Sequence, residues 1–175
     1  VRGFVGEVPV DPQYSGGVML EASYTDLGVE AIPPTSSTVT MRLRSRHAEA
    51  EHANHLQGVT PMKSETARNG TFLGSINHNH FLRFDDIDTG AVGNVTARVA
   101  SAGPGGYIEI RCDELEGPLL ARIRVASNGA WEQWRDETAK FATTEGFHDV
   151  FVVFVKETDA NALMNIDSIY CHPVE

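Results

Sequence analysis

Apolar and polar residues alternate with period two along most of the chain, the pattern of strands with one buried and one solvated face. VMLEASYT (18–25) and TVTMRLR (38–44) show it first. Between them GVEAIPPTSS (28–37), with Pro33-Pro34 and its serines, reads as a turn or linker. FLRF (81–84), NVTARVAS (94–101), GYIEIRCD (106–113), LLARIRVA (119–126), DETAKFA (136–142), DVFVVFV (149–155) and NIDSIYC (165–171) continue the pattern. Asp88-Thr89-Gly90, Gly103-Pro104-Gly105-Gly106 and Asn128-Gly129 divide these runs. Short strands at this spacing predict an all-β fold, an antiparallel β-sandwich. Only residues 48–56 admit a short helix, and an edge strand running into a loop suits them equally.

The predicted sandwich occupies residues 47–175, a typical domain size. Residues 1–46 are too few for a core of their own; they are either the tail of an upstream domain or two extra strands packed on the sandwich. With Val1 at the start and no signal-like segment after it, a mature fragment or excised domain is expected.

Charge narrows the partners. The net charge of −10 argues against nucleic acid, which needs concentrated Lys and Arg. Arg42, Arg44 and Arg46, then Arg122 and Arg124, alternate as solvated faces do. No apolar run approaches the roughly 20 residues of a spanning helix, so no membrane partner is expected. A monomer is expected. Cys112 and Cys171 both lie in strand runs and point inward. They are either a disulfide of an exported protein or two separate buried thiols.

The candidate chemistry is that of a binding surface. In SNGAWEQW (127–134), Trp131 follows the Asn128-Gly129-Ala130 turn, where a large ring stays exposed. An indole offers a flat face to the C–H side of a pyranose. Trp134, entering a strand, is expected in the core. Asn161 precedes the last strand; its amide donates and accepts as a sugar diol requires, or else simply shapes a turn. His78 and His80 share a strand face but have no placeable third ligand, so they read as exposed turn histidines. No nucleophile elbow, phosphate loop or HExxH is present. A pair of carboxylates can always be picked from 24 acidic residues, so none signals a glycosidase.

An ordered set of segments adds to this reading: AEAEHANHLQGV (48–59), GSINHNHF (74–81), ARVASAGPGGYIEIRCD (97–113), the tryptophan loop, GFHDVFVVF (146–154) and Asn165-Ile166-Asp167. Through them, residues 47–173 resemble the family 6 carbohydrate-binding modules. The resemblance implies a jelly-roll sandwich and non-catalytic sugar binding at an edge cleft, with Trp131 as stacking platform and Asn161 against the hydroxyls. It also implies a structural Ca²⁺ held by Glu49 and Glu51, read as alternating on one strand, and by Asp167 on the last strand beside it. Backbone carbonyls near 68–70 would complete a hard oxygen set. The other reading of these carboxylates is a solvated acidic edge, although an unpaired charge at Asp167 in an apolar strand would be costly.

One departure stands out. The family's second aromatic wall is replaced by Ser75, and a glutamate by Met62. Losing a wall should weaken binding by ~1–3 kcal/mol. Phe72, His78 or His80 is the expected substitute; otherwise sugar binds a concave face carrying Phe81, Glu109 and Arg111, or the edge is inactive. The implied setting is an exported protein (secreted, periplasmic or surface-bound) with an attached carbohydrate-active or sugar-oxidising catalytic domain. The alternatives are a structural interdomain module that has lost sugar binding, and a surface domain that recognises protein.

Overall fold

The computed structural model describes residues 17–29, 31–158 and 160–174. The chain divides into two compact units, Val1–Ser45 and Arg46–Glu175. In the first, β1 (Gly17–Thr25) and β2 (Ser36–Arg44) form an antiparallel hairpin in which Gly17 faces Arg44 and Thr25 faces Ser36. Asp26 shapes its connection: Oδ1 accepts the Gly28 and Thr35 N–H groups at 2.8 and 3.1 Å.

The second unit is a β-sandwich whose strand pairings are all antiparallel. It opens with β3 (His47–Glu49), a 3₁₀ turn (Ala50–His52), β4 (His55–Gln57), β5 (Thr60–Lys63) and β6 (Thr71–Gly74). Longer strands follow: β7 (Phe81–Asp88), β8 (Val92–Ser101), β9 (Gly106–Cys112), β10 (Leu119–Val125), β11 (Ala130–Lys140), β12 (Phe147–Val155) and β13 (Asn165–Pro173). One sheet has the order β10-β9-β12-β7-β4; the other is β11-β8-β13-β6-β5, with β3 paired to β13. Alternation places Val95, Ala97 and Val99 of β8 inward, where they meet Ile108 and Ile110 of β9 and Val150, Val152 and Phe154 of β12, all buried. This core holds the two sheets face to face and fixes the loops at their rims.

Three expectations change. Residues 48–56 are neither a helix nor one edge strand: they contain the end of β3, the 3₁₀ turn and the start of β4. Cys112 and Cys171 are free thiols, so the disulfide reading is set aside. Burial pushes both thiols up to about 11, as befits small hydrophobes. Trp134 is half-buried on the surface of β11 and is no core residue. Among the described residues no helix is long and apolar enough to cross a membrane.

Candidate functional site

The turn at residues 127–129 is fastened to the end of β8. Ser101 O accepts the Asn128 and Gly129 N–H groups at 2.8 and 3.2 Å, while Asn128 Oδ1 accepts the Ser101 N–H at 3.0 Å. Gly129 has φ +81°, the left-handed conformation that glycine adopts most easily. Strand β11 then leaves register: Ala130 faces Ser101, but the next pair is Arg135 with Val99. The intervening residues bulge from the sheet edge, and Trp131 lies in that bulge, 39% exposed. The turn chemistry thus makes Trp131 available.

The bulge is held from several sides. Asn165 Nδ2, at the start of β13, donates to Trp131 O at 2.7 Å. Glu132 Oε2 accepts from Ser64 Oγ at 2.5 Å and Thr66 Oγ1 at 3.1 Å. Trp134 packs edge-on against Phe72, its Nε1 donating to Thr66 Oγ1 at 3.0 Å. The Arg98 guanidinium stands over the Trp134 ring at 5.9 Å. Gly103 sits beneath Trp131: a Cβ there would come within 2.9 Å of Trp131 Cη2 and 1.9 Å of Ala162 O. Gly103→Ala should therefore push the two loops apart, lowering stability by about 1–3 kcal/mol in a denaturant melt.

That same contact brings the loop of Asn161 beside the platform. Asn161 is exposed. Ala162 N donates to Asn77 Oδ1 at 2.8 Å and Leu163 N to Ile76 O at 2.7 Å, stitching this loop to residues 75–80. Ser75, exposed with φ 58°, opens that segment. Gly74 before it lies against Met62 Sδ and Asn165 Oδ1. Trp131, Asn161 and Ser75 therefore belong to loops joined at one rim of the sandwich.

Of the three candidate replacement walls, burial rules out Phe72. Phe72 is buried at 3% exposure, because its strand parity turns it under Trp134. His78 and His80 are half-buried and not exposed turn residues: His78 Nδ1 accepts the Lys156 N–H and His80 Nδ1 the Asn77 N–H, both at 3.1 Å. Asn165, quoted in the sequence only as part of the closing Asn165-Ile166-Asp167 segment, has its supporting role from the fold. On the outer face of the other sheet, Phe81 packs against Phe151 at 5.7 Å and His55 at 5.6 Å. Glu109 there is tied to Arg111 at 2.6 Å and Arg122 at 3.3 Å.

The acidic cluster differs in form from the expectation. Glu49 ends β3 and Glu51 lies in the 3₁₀ turn, so the two do not alternate on one strand. They nevertheless interact with each other and with Asp167, because β3 pairs with β13, Glu49 opposite Ser168. Asp167 is fully buried; Oδ2 accepts from Arg98 Nε at 2.9 Å and Oδ1 from the Arg68 N–H at 3.1 Å. Burial, then repulsion from Glu51 and Asp167, raises the Glu49 carboxyl to about 7. Burial likewise raises Glu51 and Asp167. Glu49 Oε2 is buried without a hydrogen-bond partner, and the buried Glu51 carboxylate has only the Asn69 side chain and its own backbone N–H to offset its burial. Such under-satisfied hard oxygens fit a divalent cation such as Ca²⁺. Asp167 is turned onto its arginine, and the trio is not drawn together to within 4.8 Å.

The family profile described as "Carbohydrate binding module (family 6)" matches residues 49–171. The chain belongs to this family. A family 6 module from Clostridium cellulolyticum, solved with xylose, is 30% identical and superposes with a TM-score of 0.68 over 74% of this chain and 99% of that one. A β-1,3-glucan-binding family 6 module from Bacillus halodurans is 27% identical, with TM-score 0.68 over 73% and 96% of the two chains. Among curated relatives, endo-1,4-beta-xylanase A of Thermoclostridium stercorarium is 25% identical over 142 residues, covering 81% of this chain. An arabinoxylan arabinofuranohydrolase of Bacillus subtilis is 30% identical over 70% of it. The chain spans only 28% and 27% of those two proteins' lengths. It is a carbohydrate-binding module, and a family 6 module binds without catalysing.

Proposed function

We propose that the module binds a polysaccharide or glycan chain at the rim carrying Trp131, Asn161 and Ser75. The observation that carries this reading is the exposed Trp131 ring, held in the β11 bulge beside the Asn161 loop. The indole covers the apolar face of one sugar residue, and the Asn161 amide pairs with its hydroxyls. Xylan-type and β-glucan chains, related to the ligands named for its structural neighbours, are the first candidates. Glu49, Glu51 and Asp167 hold Ca²⁺, which neutralises them and staples β3 to β13. In its parent protein the module is exported and keeps an attached glycoside-active domain close to its substrate. Its relatives' names support that setting.

The test is a polysaccharide screen by affinity electrophoresis, followed by calorimetry. Selective, saturable binding supports the reading. No binding at millimolar ligand would instead favour a module that retained the fold and lost the sugar. If binding persists without the rim, the outer-sheet face of Phe81 and Phe151 is the site, a second reading favoured by their ring contact.

Ser75 makes a further prediction. With one wall missing, Ser75→Tyr should tighten binding by about 1 kcal/mol, roughly five-fold in Kd. Its φ of 58° is a strained conformation for an aromatic, so the melt should show about 1 kcal/mol of lost stability.

A further inference from the structure

At the end of the five-stranded sheet, away from the family's carboxylate trio, β9 runs out at Cys112 and β12 begins at Phe147. Register pairs Val150 with Cys112, and Asp113 N donates to Asp149 O at 2.7 Å, so this corner is fixed by backbone. The turn after Cys112 is tight: a Cβ on Gly117 would meet Cys112 O at 2.0 Å. Asp113 is held at φ 62°, in the left-handed region that Asp tolerates better than most residues. Its carboxylate is thereby brought to His148, with Oδ1 and Oδ2 at 3.1 and 2.9 Å from Nδ1. Cys112 Sγ is 3.4 Å from Asp113 Oδ2.

Among the described residues this is the one group of three in which thiol, carboxylate and imidazole ligand atoms all lie within 4.8 Å of one another. The donor set is mixed sulfur, nitrogen and oxygen, which suits Zn²⁺ far better than Ca²⁺. Tetrahedral zinc with ordinary bond lengths sets its ligand atoms about 3.3–3.5 Å apart. The sulfur–oxygen separation already has that value, and the nitrogen–oxygen pair needs only a few tenths of an ångström of opening. The histidine is also supported as zinc-bound imidazoles are: Nε2 faces Glu145 O at 3.0 Å, leaving Nδ1 for the metal. The Asp149 N–H, 3.2 Å from Asp113 Oδ1, orients the carboxylate. Cys112 is buried, whereas the Asp113 side chain is 55% exposed. A cation would thus enter from solvent and keep water as its fourth ligand.

The geometry points to Cys112, Asp113 and His148 as a zinc site that ties the turn after β9 to the start of β12. On binding, zinc replaces the thiol proton and any proton on Nδ1, and both are released to solvent. The site is distinct in donors and position from the Glu49, Glu51 and Asp167 cluster.

The experiment titrates the reduced protein, in excess Ca²⁺, with Co²⁺ and then Zn²⁺. A thiolate-to-cobalt charge-transfer band in the near ultraviolet, saturating at one equivalent and displaced by Zn²⁺, is the expected result. His148→Ala and Asp113→Asn lie at the surface and should keep the fold; each should weaken binding at least ten-fold. Cys112→Ser, checked for folding by near-ultraviolet circular dichroism, should abolish the band, and Cys171→Ser should leave it unchanged. Cobalt binding without the band, a band that survives Cys112→Ser, or affinity unchanged in His148→Ala would overturn the assignment. So would the absence of binding at one equivalent per chain.

Discussion

Trp131→Ala should reduce the affinity for the best polysaccharide by about 2–3 kcal/mol, on the order of a hundred-fold, while the melting temperature moves by only a few degrees. The size follows from removing the stacking surface and leaving Asn161 to hold hydroxyls without a platform. Stability should survive because the ring is 39% exposed and the local fold is held through other atoms. Asn165 binds the Trp131 carbonyl, and Glu132 and Trp134 are bonded to Ser64 and Thr66. Calorimetry beside a thermal melt separates the two effects. Undiminished affinity in a folded variant would move the sugar away from this rim. Unfolding would mean that the indole serves the core.

If Glu49, Glu51 and Asp167 hold Ca²⁺ as proposed, removing it should have the larger effect on stability. A metal present at a thousand times its Kd contributes about 4 kcal/mol to the folded state. For a domain of this size its removal should lower the melting temperature by about 10 °C or more. The pH dependence has a definite sign. Without metal, the folded Glu49 carboxyl sits near 7 against an ordinary 4.5, so it favours its protonated form. The corresponding stability is full below about pH 4.5 and is lost as pH rises through 7. Glu51 and Asp167 shift in the same direction. With Ca²⁺ bound the carboxylates must be ionised, and stability should instead fall on acidification. Melts of chelated and calcium-loaded protein from pH 5 to 8 would show opposite slopes. A chelator without effect on verified metal-loaded protein would leave the cluster as acidic surface.

The long strands were legible because β7 through β13 run for seven or more residues, enough repeats of inward and outward positions to be seen. Strands β3 to β6 have three or four residues, which contain barely two repeats, too few to define a strand from alternation. Trp131 was legible from its turn residues. Its support by Asn165 was not, since that bond spans 34 positions. The expected alternation of Glu49 and Glu51 on one strand fails, because a 3₁₀ turn of three residues has no periodicity to read. Phe72 was misjudged: whether a phenylalanine lines a cleft or underlies a tryptophan depends on one residue of parity. The Cys112, Asp113 and His148 group was invisible, since only the pairing of β9 with β12 joins its parts.

The order of residues on β13 brings the two proposed sites onto one short segment. Asn165 holds the carbonyl of the platform tryptophan, Ile166 is locked in the core, and Asp167 reaches the acidic cluster. Asp167 sits where β13 shifts register against β8, between Ile166 and Ser168 and two residues from Asn165. A cation held at the acidic cluster and a sugar held at the Trp131 rim, both proposed above, would draw on the same few backbone atoms. Whatever free energy one contributes to the binding of the other must, by reciprocity, be returned in equal measure.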